Sequence, residues 1–218
     1  MSMKSTVLLI VIAMMILVSV PFAEAEPHHK PGGYIGYLGL DEFWYGLTES
    51  ERQLILSESA ESPVEGEIVS TTYSQVSFLS NYACWAIKEA HWELAEKILS
   101  YCEKADGSLV DYHFLYLNVS ECYFSQIKRY EPAIDKAIEF CKKDIDLFPQ
   151  FREPLMIEFD GELPRIPSFQ TLAMCYEKQG KYQEAIDVCK LAIAYGITDA
   201  TKTGFEGRIR RLEKKMRK

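Results

Sequence analysis

The sequence predicts an all-α protein whose helices are arranged as antiparallel pairs. From residue 73 onward, apolar residues recur at the spacing of amphipathic helices, and no segment alternates apolar and polar residues as a half-buried strand does. The predicted helices also repeat, because three successive pairs carry small and aromatic residues at matching positions. Hydrophobic residues make up 48% of the chain and charged residues 26%, a composition typical of a globular protein.

Residues 1–25 contain the three parts of a secretory signal. Lys4 precedes an apolar run over residues 7–20, and residues 23–25 (Ala-Glu-Ala) have the small-x-small form of a cleavage site. The run is shorter than the ~20 residues that span a bilayer comfortably. Retention of residues 4–23 as a membrane anchor is the alternative, and a wrongly assigned start codon is a third. The first two interpretations place the protein outside the cytoplasm, either secreted or anchored in a membrane.

Residues 26–72 are expected to form a leader and an N-terminal cap segment. The stretch from Tyr34 to Tyr45 is rich in glycine and aromatic residues, and it predicts a loop with one short helix covering an open apolar end. Thr48 followed by Glu51 forms a capping box. This box predicts a helix that runs to about Ala60.

A helical-repeat domain is expected over residues 73–218. Glycines, prolines and capping residues divide it into helices. The predicted helices cover about 73–89, 92–104, 108–128, 132–149, 167–180 and 182–195, followed by a last helix that begins at a capping box formed by Thr203 and Glu206.

Residues 149–166 separate the second pair of helices from the third, and they are expected to form an insert. The preceding helix is predicted to end at Pro149. The insert has two interpretations: a loop that covers apolar surface with its own apolar residues, or a functional loop that binds a partner. The apolar residues in question are Phe151, Leu155, Ile157 and Phe159.

The three pairs share three kinds of position. The first helix of each pair has a small residue at its middle, the second helix opens with an aromatic residue, and an alanine follows three residues later. In order, these positions are Ala83, Trp92 and Ala95 in the first pair, Ser120, Tyr130 and Ala133 in the second, and Ala173, Tyr182 and Ala185 in the third. Two antiparallel helices approach closely only where their side chains are small, so the pattern predicts tightly packed pairs.

This pattern resembles the tetratricopeptide repeat family. The third pair matches the family signature best, at Leu172, Ala173, Tyr176, Gly180, Tyr182, Ala185 and Ala192. The first pair departs from it at Ala86 and Ala90, and the second departs at its turn, where Ile127-Lys128 replaces the glycine. The resemblance implies a right-handed stack of helical hairpins, and the last helix is expected to cap its C-terminal end.

The resemblance also implies a concave face, formed by the first helix of each pair, that holds a peptide or protein segment. Carried over position by position, the groove-facing residues are Ser80, Cys84, Ile87, Lys88, Leu117, Glu121, Phe124, Ser125, Gln170, Met174, Glu177 and Lys178. This set lacks the cluster of Lys, Arg and Asn with which family members clamp a terminal carboxylate. A core position is the alternative for Ile87, Leu117 and Phe124.

The cysteines and charges bear on the function class. All six cysteines fall inside helical patterns and no C-x-x-C pair exists, so mostly buried thiols are expected, with one or two disulfides as an alternative. Residues 202–218 carry a net charge of +6, whereas residues 1–201 carry −14. The acidic character of residues 1–201 argues against general nucleic-acid binding. The carboxylates of Asp144 and Asp146 are expected to be ordinary charges on a helix surface.

The sequence therefore predicts a protein–protein interaction module or adaptor that is not an enzyme and uses no cofactor or metal. No catalytic or nucleotide-binding motif is present. Its partner is expected to be a protein or peptide of unknown identity. Two alternatives remain: a membrane-tethered structural or assembly factor, and a hydrolase that uses Cys84 or Cys122 with a histidine.

Overall fold

A computed structural model of the chain describes residues 30–59, 61–199 and 201–217. Every regular element in these ranges is a helix, which confirms the all-α prediction. The helices are α1 (Gly33–Tyr37), α2 (Asp41–Gly46), α3 (Glu49–Glu58), α4 (Gln75–Lys88), α5 (Trp92–Cys102), α6 (Leu109–Gln126), α7 (Ala133–Glu158), α8 (Pro167–Lys178), α9 (Tyr182–Ala194) and α10 (Gly204–Met216). The predicted signal sequence or anchor lies outside the described residues.

The helices contact one another in a regular order. Helix α4 packs against α5, α6 against α7, and α8 against α9, so three consecutive pairs are present. The first helices of the pairs also adjoin one another, because α6 packs against both α4 and α8. Helix α10 packs on α9 at the C-terminal end. Among the helices of the described ranges, none has both the length and the apolar character needed to cross a bilayer.

The small positions shared by the three pairs are all fully buried. All six of these residues have 0% exposure; they are Ala83, Ala95, Ser120, Ala133, Ala173 and Ala185. Two of the opening aromatic residues contact each other, since the rings of Trp92 and Tyr130 stack with their centroids 4.3 Å apart. The burial of the six small residues is what tightly packed helix pairs require.

The N-terminal segment packs on the first pair through several contacts. It contains two short helices, α1 and α2, where one was predicted. Phe43 in α2 meets the ring of Tyr101 in α5 with a centroid distance of 5.3 Å. The capping box of α3 is confirmed: the Thr48 hydroxyl accepts a hydrogen bond from the Glu51 amide, and the Glu51 carboxylate accepts one from the Thr48 amide. The same carboxylate pairs with Lys97 at 2.7 Å.

Helix α7 is longer than predicted, because it continues through Pro149 and Pro154 to Glu158. The prediction that it ends at Pro149 is therefore wrong. The added turns place Phe151 and Leu155 in the core with 0% exposure, and this burial offsets the loss of the two proline N–H donors. Both prolines lie on the exposed side of the helix.

The insert is consequently half helix and half loop. Its loop part is confined to residues 159–166. Of the four apolar residues expected to cover the core, Phe151 and Leu155 are buried, whereas Ile157 is 80% exposed and Phe159 is 46% exposed.

The predicted capping box at the start of α10 is wrong. Thr203 makes no side-chain hydrogen bond to the helix, and its backbone lies in the helical region instead of the extended one that an N-cap adopts. The next residue, Gly204, has a φ of +60°. This left-handed turn directs the chain into the helix without help from the Thr203 hydroxyl.

The turns inside the first and third pairs have the same geometry but different residues. Ala90 has a φ of +66° and Gly180 a φ of +74°. In each turn the amide of the next residue donates a hydrogen bond to a carbonyl near the end of the helix. His91 donates to the Ala86 carbonyl at 2.8 Å, and Lys181 donates to the Tyr176 carbonyl at 2.9 Å. A left-handed conformation costs a residue with a Cβ roughly 1–2 kcal/mol, so the first turn is strained and the third is not.

We expect the substitution Ala90→Gly to raise the free energy of unfolding by about 1 kcal/mol, since glycine adopts this conformation without a steric cost. The matched change at the equivalent turn, Gly180→Ala, should lower it by a similar amount; a Cβ there meets no atom within 4 Å, so only the backbone is tested. Urea denaturation measures both. Destabilisation by both substitutions would contradict the strain assigned to the first turn.

Candidate functional site

A cavity of about 600 Å³ opens to solvent along helices α4 and α6. These helices are the first members of the first and second pairs, so the cavity lies on the face where a groove was predicted. Its wall is completed by one residue of α3 and one at the end of α4. The lining residues are Glu58, Asn81, Cys84, Trp85, Lys88, Glu89, Asn118, Glu121, Cys122 and Ser125.

Two asparagines occupy matching places in this cavity. Asn81 precedes the small residue of α4 by two positions, and Asn118 precedes the small residue of α6 by two. They are the only asparagines in the sequence, and both are exposed. Neither carboxamide hydrogen bonds to a residue in the described part of the chain. Sequence analysis missed both, although their identical placement relative to Ala83 and Ser120 was visible.

Trp85 adds a further polar group to the wall. Its indole N–H is buried and lacks an acceptor among the described residues. The ring of Trp85 lies beside that of His91, with a centroid distance of 5.4 Å. His91 is not among the residues that line the cavity, and the lining contains no histidine within the described ranges. No histidine therefore joins Cys84 or Cys122 in the described lining of this cavity.

The predicted groove residues of the first two pairs fall into three groups. Cys84, Lys88, Glu121 and Ser125 line the cavity together. Leu117 and Phe124 are partly buried. Ser80 and Ile87 lie in the core, with 5% and 0% of their surface exposed, so neither offers a surface to a guest chain. This contradicts their predicted place in a groove and, for Ile87, favours the core alternative.

The predicted groove residues of the third pair lie outside the cavity. Lys178 sits over the ring of Phe124, 5.8 Å from its centroid, and Gln170 contacts the Met174 sulfur at 3.9 Å. Glu177 is engaged by the last helix, because its carboxylate lies 2.7 Å from the Lys215 ammonium and 3.7 Å from Arg208. The third pair therefore contacts the second through Lys178 and Phe124 but contributes no residue to the lining of the cavity.

All six cysteines are free and buried, as the sequence predicted. Burial raises the pKa of Cys102 and of Cys175 to about 12, and that of Cys189 to about 11, so these thiols stay protonated at neutral pH.

Cys84 and Cys122 differ from the other cysteines because their thiols are close enough to shift each other's pKa. This contact lowers the pKa of Cys122, whose thiolate accepts the bond, and raises that of Cys84, which donates it. The ammonium of Lys88 contributes to the lowering at Cys122.

A buried polar network joins the second and third pairs. Nδ1 of His113 in α6 lies 2.7 Å from Oδ1 of Asp144 in α7, and the Ser168 hydroxyl of α8 donates to Oδ2 of the same carboxylate. Asp144 is 0% exposed, so its prediction as a surface charge is wrong. Because a carboxylate only accepts, Nδ1 of His113 carries the proton. The His113 ring also stacks on Phe151 at 4.2 Å.

This network contains the residue types of a hydrolytic triad in a different order. In a triad, the histidine stands between the nucleophile and the carboxylate. Here Asp144 stands between Ser168 and His113, so the serine hydroxyl contacts the carboxylate and not the histidine. All three residues are buried, which assigns the network to the packing of α6, α7 and α8. Within the described ranges, no group of acidic, histidine and cysteine residues is arranged to hold a metal ion.

Comparison with known proteins shows similarity to an uncharacterized protein but no match to a family model. The chain is 27% identical over 182 residues to an uncharacterized protein of Aquifex aeolicus (strain VF5), an alignment that covers 78% of this chain and 87% of that protein. No family model matches the chain, and no solved structure matches it. The class of protein that the geometry defines is an all-helical protein built from consecutive helix pairs.

We expect Asp144→Asn to lower the free energy of unfolding by about 1–3 kcal/mol, because it removes the charge that pairs with His113 and leaves a buried polar group unsatisfied. Asp146→Asn is the matched control, since Asp146 lies on the same helix and is exposed; its effect should stay within about 0.5 kcal/mol. Thermal and urea denaturation measure both. Equal effects of the two substitutions would show that the network does not stabilise the fold.

Proposed function

We propose that the protein is a tetratricopeptide-like binding module that holds an extended segment of another polypeptide along α4 and α6. In this proposal the three pairs form a right-handed stack, α4, α6 and α8 are its inner layer, and α10 caps its end. The order of helix contacts and the burial of the six small residues support the stack. No catalytic step is part of the proposed function.

The two asparagines carry the proposal. A carboxamide has one acceptor and one donor group, so it can pair with both the N–H and the C=O of a peptide backbone. Asn81 and Asn118 present these groups one repeat apart, on neighbouring helices and in one cavity. An isolated exposed asparagine is usually only solvated. Two asparagines at equivalent positions, both without partners in the described part of the chain, favour a role in binding.

The charges at the cavity indicate the kind of segment. Glu58, Glu89 and Glu121 are exposed and line it, whereas Lys88 is the one basic residue among its lining residues in the described part of the chain. The excess of carboxylates favours a guest with lysine or arginine side chains beside the bound backbone. The net charge of −14 on residues 1–201 would speed the approach of such a guest.

To test this, peptides that bind the full chain are first selected from a displayed library of unstructured sequences. For the best peptide, we expect Asn81→Ala combined with Asn118→Ala to weaken binding at least about tenfold, since lost hydrogen bonds cost roughly 0.5–1.5 kcal/mol each. Fluorescence anisotropy measures the affinity, and circular dichroism verifies that the variant is folded.

Gln183→Ala is the matched control. It removes an exposed carboxamide on α9 that bonds only to Asp187 of the same helix, so affinity should change less than about twofold. Unchanged affinity in the double variant would overturn the proposed binding mode.

We also propose that the chain is exported through residues 1–25. The intact mass of the protein isolated from its native cell tests this, because cleavage removes roughly 25 residues. A mass that retains residues 4–23 would favour the membrane-tethered alternative. Recovery from the cytoplasm at full length would exclude both routes.

A further inference from the structure

Two thiols from different helix pairs meet in the wall of the cavity. Cys84 belongs to α4 and Cys122 to α6, and both are lining residues. The two helices pack against each other, and the two thiols are close enough to shift each other's pKa. The two residues keep 9% and 7% of their surface exposed, whereas Cys141, Cys175 and Cys189 are 0% exposed. The cavity is therefore the route by which a small reagent would approach this pair of thiols.

We propose that Cys84 and Cys122 form a dithiol site that reacts with small-molecule disulfides and closes into a bridge between α4 and α6. This chemistry does not depend on the binding of a polypeptide. The site differs from a single buried cysteine because a second thiol lies nearby and can form a disulfide with the first.

The reaction proceeds in two exchanges. The Cys122 sulfur, as the thiolate, attacks one sulfur of the small disulfide; a mixed disulfide forms, and the other half leaves as a thiolate that takes up a proton. Cys84 then loses its proton to solvent, and its sulfur attacks the Cys122 sulfur. The mixed disulfide breaks, the Cys84–Cys122 bond forms, and the second small thiol leaves. Two protein thiols are oxidised by two electrons, and one small disulfide is reduced to two thiols.

The surroundings assign the first step to Cys122. The hydrogen bond from Cys84 lowers the pKa of Cys122, and the Lys88 ammonium lowers it further. Both effects favour the thiolate, which is the reactive form of cysteine. The hydrogen bond to Cys122 is the largest cause of the raised pKa of Cys84. Once Cys122 is in the mixed disulfide it is no longer a thiolate, so Cys84 can lose its proton and attack the Cys122 sulfur.

The bridge would join the two helices that carry the asparagines. Cys84 follows Asn81 by three residues and Cys122 follows Asn118 by four, so each cysteine lies about one helical turn from the carboxamide on its own helix. Closing the S–S bond to about 2.05 Å would fix the separation of α4 and α6. This consequence rests on the proposed function, in which that separation sets the spacing of the two carboxamides.

The experiment treats the reduced full chain with oxidised glutathione, quenches it with acid, and alkylates the remaining thiols in denaturant. Peptide mass spectrometry should show that two of the six thiols are lost and that Cys84 and Cys122 are joined. In the variant Cys84→Ser, the second step is blocked, so Cys122 should accumulate a stable glutathione adduct that the unaltered protein does not retain.

Cys175→Ser serves as the matched control, because it removes a buried thiol outside the cavity; the Cys84–Cys122 bridge should form at an unchanged rate. Circular dichroism before treatment verifies that each variant is folded. No bridge in the unaltered protein, a bridge between other cysteines, or an adduct in Cys84→Ser at a residue other than Cys122 would each overturn the proposal. None of these results depends on a guest polypeptide, so failure here leaves the proposed binding function to its own test.

Discussion

Close packing between helices depends on small side chains at matching positions of the three pairs. Two helices in contact cannot separate without opening a void, and a larger side chain at a fully buried position has to displace its neighbours. Ala83, Ser120 and Ala173 in the first helices leave no room for such a side chain, because each is completely buried. The order of helix contacts follows from this constraint, since each first helix can lie against its own partner and also against the first helix of the next pair. The face left uncovered by this packing includes the cavity along α4 and α6.

Polar groups in this molecule take different roles according to their surroundings. Asp144 is held in the core by His113 and Ser168, so its carboxylate is satisfied internally and contributes to the packing of three helices. Asn81 and Asn118 have no such partners in the described part of the chain and line an open cavity. The thiols of Cys84 and Cys122 combine both features, because they interact with each other and also line the cavity. Internal satisfaction indicates a structural role, whereas the unpaired groups in the cavity are the basis of the binding proposal.

Local signals in the sequence were sufficient for most helix boundaries, whereas tertiary contacts decided the rest. The start of α3 could be predicted because Thr48 and Glu51 satisfy each other within one turn. The end of α7 could not, because the burial of residues beyond Pro149 depends on helices distant in sequence. The burial of Asp144 could not be predicted either, because its two hydrogen-bond partners lie 31 and 24 residues away in the sequence. The positions of Asn81 and Asn118 could have been identified, because the repeat alignment already places them at equivalent points.

The most direct measurement uses the fact that the chain contains only two asparagines. A full chain labelled with ¹⁵N in asparagine alone gives side-chain amide signals from Asn81 and Asn118 and from no other residue. When the peptide selected for binding is titrated in, a backbone held by both carboxamides should shift both pairs of signals together, with one common dissociation constant. If the peptide binds while both pairs of signals stay in place, the guest lies elsewhere and the account of this cavity is wrong.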